Sequence, residues 1–140
     1  MASERKERAG ARLSELSADE VEELVVKLAK EGTPPSRIGI ILRDQHAVPS
    51  IKDATGKGVK QILDANGLKP ELPEDLVNKI RKAVALYSHL DRNPKDFGCK
   101  RALEVVEAEI VKLAKYYRGE GVLPTGWRYD RERAALLVRA

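Results

Sequence analysis

The chain has 140 residues, a formal net charge of +4, 42% hydrophobic residues and 4% aromatic ones. That length carries one domain, or one and a small appendage, with a core built from aliphatic side chains. No apolar run approaches the ~20 residues of a membrane span, and MASERKERAG lacks the apolar block of a signal peptide, so the chain reads as cytoplasmic. Its single cysteine excludes an internal disulfide and, with only two histidines, leaves no expected metal site. The modest basic excess permits a polyanionic partner without requiring one.

In chain order, residues 1–16 mix both charge signs and read as a disordered or nucleic-acid-touching tail. Ser17-Ala18-Asp19-Glu20 is a capping box opening a helix. Val21, Leu24, Val25 and Leu28 share one helical face, which stops at Gly32. Pro34-Pro35 breaks the chain and offers Ser36 as the next N-cap. The second helix runs from Arg37 to about His46 and buries Ile38, Ile41 and Leu42. A short helical turn follows Pro49-Ser50, Gly56 and Gly58 break it, and a fourth piece runs from Val59 to Asn66. Residues 17–67 thus form a small helical subdomain.

A Pro-punctuated linker, Leu68 to Leu72, is the best internal boundary. Pro73 is pre-set for the first position of a long helix, with Glu74 and Asp75 at its positive end. Its seam is Leu76, Val77, Ile80, Val84, Tyr87 and Leu90. Asn93 is expected to cap, and Pro94 to start, a last long helix with the seam Cys99, Leu103, Val106, Ile110, Leu113 and Tyr117. Two long seams joined by so short a connection predict an antiparallel hairpin, residues 68–121. The extension 122–140 carries a Trp127–Tyr129 anchor and one short helix capped by Asp130. The pattern holds no strand longer than a few residues, so the fold class is all-α.

The residues offer little chemistry. Thr55-Gly56-Lys57-Gly58 lacks the first glycine, the final Ser/Thr and the strand of a phosphate-binding loop. It reads as a connector whose Lys57 and Lys60 could meet phosphates as point charges. Cys99 on the seam reads as a small buried hydrophobe rather than a nucleophile. His46 suits a helix C-terminus. No acid–base constellation accompanies His89, so catalysis is not expected. Gly32 to Val48, with Arg37, Arg43, Asp44 and Gln45, could form half of a helix-turn-helix spanning residues 33–66, which would make the chain a DNA-binding regulator. The plainer alternative is a helical subdomain with an ordinary charged surface.

The last long helix is basic at both ends and acidic between them. Lys95, Lys100 and Arg101 precede Glu104, Glu107 and Glu109, and Lys112, Lys115 and Arg118 follow. At 1.5 Å per residue the basic clusters lie roughly 20 Å apart, a spacing suited to two phosphate contacts on one folded RNA. A solvated face with local pairing, such as Glu109 with Lys112, explains the pattern equally well.

The corner HLDRNPKD, followed by KR and a helix ending KLAKYY, resembles the small-subunit ribosomal protein S-fifteen family. LAKEGTPPSRIGIILRD, GLKPELPEDLVNKIRKAVA, VLPTGW and the final LLVR resemble its archaeal and eukaryotic form, called S-thirteen in older eukaryotic naming. The resemblance spans Ser17 to Arg139. It implies a non-enzymatic helical protein of the small ribosomal subunit, without cofactor, metal or small-molecule substrate. Its implied partners are the central domain of the small-subunit rRNA and other small-subunit proteins. Carried over by position, His89, Asp96, Lys100 and Arg101 belong to a corner that meets an RNA helix from its minor-groove side. Tyr116, with Lys112 and Lys115, matches the end of the last helix that faces a three-way junction. Where bacterial relatives have two histidines and a serine after the aspartate, this chain has Phe97, Gly98 and Cys99. Lys95 and Arg118 flank these groups, and Arg37, Arg43, Lys57 and Lys60 are the RNA-facing cations expected of the amino-terminal subdomain.

Overall fold

A computed structural model describes residues 16–139 of the chain. The expected tail, residues 1–16, lies outside the described residues except for Leu16. Seven helices occupy the described residues: α1 (Ala18–Lys30), α2 (Pro35–Gln45), α3 (Ile51–Thr55), α4 (Val59–Ala65), α5 (Glu74–Arg92), α6 (Phe97–Gly119) and α7 (Arg131–Arg139). They divide into two compact units, Met1–Pro70 and Glu71–Ala140, a boundary inside the Pro-punctuated linker. The fold is all-α.

In the first unit, Ser17 and Glu20 close the capping box. The Ser17 Oγ accepts the Glu20 N–H at 3.3 Å, and Glu20 Oε2 accepts the Ser17 N–H at 2.8 Å. The helix ends where Gly32 takes φ +85°, a left-handed conformation that an L side chain would strain. Helix α2 starts one residue before Ser36. Pro34 is its N-cap and Pro35 its first residue, because a pre-set φ and a missing N–H cost nothing there. Ser50 caps α3 through the Asp53 N–H, and Gln61 Oε1 satisfies the Gly58 N–H ahead of α4. Val21, Val25, Ile38, Leu42, Val48, Ile51, Ile62 and Leu63 pack into one aliphatic core. Ile41, Leu24 and Leu28 are only partly buried.

The second unit is the hairpin of α5 and α6, joined by α7. Pro73 precedes α5 as its N-cap rather than opening it, and Asp75 Oδ1 accepts the Leu76 N–H at 2.8 Å. The core holds Leu76, Ile80, Ala83, Leu103, Val106, Ile110, Ala114, Leu123 and Ala134, with Trp127 and Tyr129 packed against it. The carboxy-terminal segment thereby contributes two core residues of its own. Asp130 Oδ1 accepts the Glu132 N–H at 3.1 Å at the start of α7.

The corner between α5 and α6 departs from the sequence expectation. Asn93 ends α5: its N–H and its side-chain Nδ2 both donate to the His89 carbonyl, at 2.9 and 3.2 Å. Pro94 and Lys95 form a turn, and α6 begins only at Phe97, with Asp96 as its N-cap. A carboxylate at the positive end of a 23-residue helix is a stronger acceptor than an amide, so the start is set at Asp96. Two expected seam positions lie outside the core. Cys99, in the first turn, is half-buried beside its cap, and the core starts one turn later at Leu103. Tyr87 is 46% exposed, with the Arg131 guanidinium 5.7 Å from its ring centroid.

Candidate RNA interface

The corner gathers its polar groups around Asp96. Oδ1 accepts the Cys99 N–H at 3.0 Å, and Oδ2 lies 2.9 Å from His89 Nε2. Asn93 Nδ2 lies 3.4 Å from His89 Nδ1, an arrangement that fits the tautomer with its proton on Nε2 and donated to Asp96. The Cys99 N–H, then His89, then the Cys99 thiol hold the Asp96 carboxyl down at about 2. The same carboxylate, aided by partial burial, raises the Cys99 thiol above its ordinary range. Cys99 therefore belongs to the corner, as a protonated donor, and not to the core. Around this network Lys95, Lys100 and Arg101 are exposed, and Phe97 is 72% exposed on the first turn of α6.

The acidic middle of α6 has an explanation that sequence spacing did not reveal. Glu107 receives a two-pronged bond from Arg131 of α7, at 2.5 and 2.7 Å. Glu109 pairs with Lys79 of α5 across the hairpin, not with Lys112. That pairing holds the Glu109 carboxyl below its usual range, with the charges of Lys82 and Lys112 adding to it. Glu104 pairs with Arg101 at 3.0 Å. The acids are thus consumed within the unit. Lys100, Lys112 and Lys115 form no ion pair among the described residues, and their charge faces solvent.

Lys112, Lys115 and Tyr116 stand three and four residues apart, so they share one exposed stripe opposite the Leu103–Val106–Ile110–Ala114 seam. Tyr116 is 59% exposed and meets Tyr117 edge-on, with ring centroids 5.2 Å apart. Tyr117 instead turns toward α5, where its hydroxyl donates to Asp75 Oδ2 at 2.5 Å. That bond pushes the phenol up to about 12. Arg118 is half-buried, its Nε donating to the Ala114 carbonyl at 3.3 Å.

The remaining cations lie in the first unit. Arg37 and Lys60 are exposed, while Arg43 is tied to Asp44 at 2.9 Å and Lys57 to Glu22 at 3.0 Å. On α2 an acid-paired arginine stands beside Ile40, which is 50% exposed. A recognition helix needs free polar groups for base edges, so this surface suits duplex readout poorly. No helix among the described residues is long and apolar enough to cross a membrane.

These features define an all-helical protein with two solvent-facing basic clusters on one helix. Comparison with known proteins places it among its relatives. The family model for the ribosomal S13/S15 N-terminal domain matches residues 6–48, and that for ribosomal protein S15 matches residues 59–137. The small ribosomal subunit protein uS15 of Methanobrevibacter smithii is 50% identical over 123 residues, covering 88% of this chain and 93% of the relative. That of Staphylothermus marinus is 50% identical over 126 residues, covering 90% and 82%. That of Schizosaccharomyces pombe is 49% identical over 121 residues, covering 86% and 80%. The chain belongs to the ribosomal protein S15 family, in the form shared by archaea and eukaryotes.

Proposed function

We propose that this protein is a structural, non-catalytic component of the small ribosomal subunit. It binds the central domain of the small-subunit rRNA, clamping a three-way junction and an adjacent helix, and so supports translation. The observation that carries the reading is the charge layout of α6. Its acids are spent on Arg101, Lys79 and Arg131, while cations at its two ends remain free for phosphates. The family relationship supplies the class of RNA.

Corner chemistry suits the shallow groove of an A-form helix. A carboxylate has about four acceptor positions, and Asp96 spends three of its own on the Cys99 N–H, His89 and the Cys99 thiol. The fourth can accept from a ribose 2′-hydroxyl or a guanine amino group, the donors of a minor groove. His89 and the Cys99 N–H hold the carboxylate ionised and oriented. Lys95 and Lys100 supply the flanking phosphate contacts, and Arg101 joins them only after leaving Glu104. At the far end Tyr116 offers a ring for stacking between Lys112 and Lys115, with Arg118 behind them. Arg37, Arg43, Lys57 and Lys60 add contacts from the first unit, Arg43 and Lys57 only after leaving their acidic partners.

The partners are small-subunit rRNA and neighbouring small-subunit proteins in the cytoplasm, with neither a membrane nor a small-molecule substrate. Sedimentation of the tagged protein in a cell lysate tests the assignment. It should travel with small subunits at physiological salt, and a protein found only in the unassembled fraction would contradict it.

A further inference from the structure

A His89 ring nitrogen, an Asp96 carboxylate oxygen and Cys99 Sγ all lie within 4.8 Å of one another, and all three residues are half-buried. Two helices supply them. His89 comes from the last turn of α5, whereas Asp96 and Cys99 stand three residues apart around the start of α6. The Asn93 cap locks the connection through two bonds to the His89 carbonyl, so the donors converge without a long flexible loop. The sequence expectation of no metal site counted cysteine and histidine alone. Folding adds the missing third donor, the Asp96 carboxylate.

We infer that this corner is a binding site for a borderline divalent transition ion of the zinc class. An imidazole nitrogen, a carboxylate oxygen and a thiolate sulfur are the ligand types such an ion takes together. In a tetrahedral site neighbouring donors are about 3.3–3.7 Å apart, from bond lengths of ~2.0–2.3 Å. The three groups therefore close on an ion by shifts of about 1 Å, within the reach of side-chain rotation. Water completes the fourth position.

The balance is simple. The ion displaces the thiol proton, forms the sulfur–metal bond and releases one proton to solvent. The thiolate and the carboxylate then neutralise its two charges. His89 coordinates through Nε2, so its ring proton moves to Nδ1. That proton faces solvent at the half-exposed ring, and the Asn93 amide keeps its bond to the His89 carbonyl. His89 and Asp96 are also groups of the proposed RNA corner, so the inference concerns the free protein and is tested without RNA.

Cobalt(II) titration of the full-length, phosphine-reduced chain at neutral pH tests it without RNA. A near-ultraviolet thiolate-to-cobalt charge-transfer band, with the visible bands of a tetrahedral ion, should saturate at one ion per chain. Zinc should then bleach it. Cys99→Ser should abolish the charge-transfer band, and His89→Gln should weaken apparent affinity at least about tenfold, as should Asp96→Asn. Circular dichroism on the same samples reports folding. No band in the wild-type protein overturns the inference. So does a band of undiminished affinity in a folded His89→Gln or Asp96→Asn variant, which would reduce the site to a lone thiolate.

Discussion

Asp96 sets the start of α6, orients His89 and occupies the Cys99 thiol. Its folded pKa lies below the unfolded value, so its stabilising effect is complete above about pH 4 and is lost as pH falls toward about 2. Carboxyl-detected NMR should show one aspartate titrating near 2, and that resonance should be absent in Asp96→Asn. Cys99→Ser should shift the melting temperature by no more than about 2 °C, because a hydroxyl replaces the thiol beside a carboxylate at a half-exposed position. A buried seam residue would behave differently, since an unpartnered buried hydroxyl is costly. Here the sequence misled. Helical spacing aligned Cys99 with Leu103, but spacing does not say in which turn a helix begins. What would have found the true start is the Asp96-x-x-Cys99 span, an acceptor three residues before the amide it caps.

At the scale of elements, seams were legible because burial obeys the helical period. Val21, Val25, Ile38, Leu42, Leu76, Ile80, Leu103, Val106 and Ile110 all fall where the apolar repeat puts them. Contacts between helices were not legible. Lys79 with Glu109, Asp75 with Tyr117 and Glu107 with Arg131 join residues 24 to 42 positions apart, and no local pattern encodes them. The expected Glu109–Lys112 pair lost to Lys79 because the hairpin brings another helix alongside. Ile110 is fully buried in the hairpin core, so Ile110→Ala should cost about 2–5 kcal/mol in denaturant unfolding. Tyr117→Phe should cost no more than about 1 kcal/mol at neutral pH, since solvent screens the exposed bond to Asp75. The sign with pH follows from a raised pKa. The contribution is present below about pH 10 and fades as pH rises toward about 12, so wild type and Tyr117→Phe should converge there. Phenolate absorbance should show a tyrosine titrating near 12 that the variant lacks.

Across the whole molecule, a formal charge of +4 understates what an RNA would meet. Internal pairing removes acids from α6 and leaves its ends positive. Binding to a central-domain RNA fragment should therefore weaken steeply with salt. If roughly five phosphates are neutralised, the log–log slope is about −4, and a slope near zero would remove the electrostatic basis of the proposal. In the proposed clamp one helix serves two RNA elements, because Lys100 and Lys112 are about 18 Å apart along its axis. Nucleotide-resolved footprinting at saturating protein measures this most directly. Lys100→Glu with Arg101→Glu should lose protection of the corner's RNA helix and keep that of the junction, whereas Lys112→Glu with Lys115→Glu should do the reverse. Erasure of the same nucleotides by both pairs would contradict the clamp and leave one continuous interface in its place.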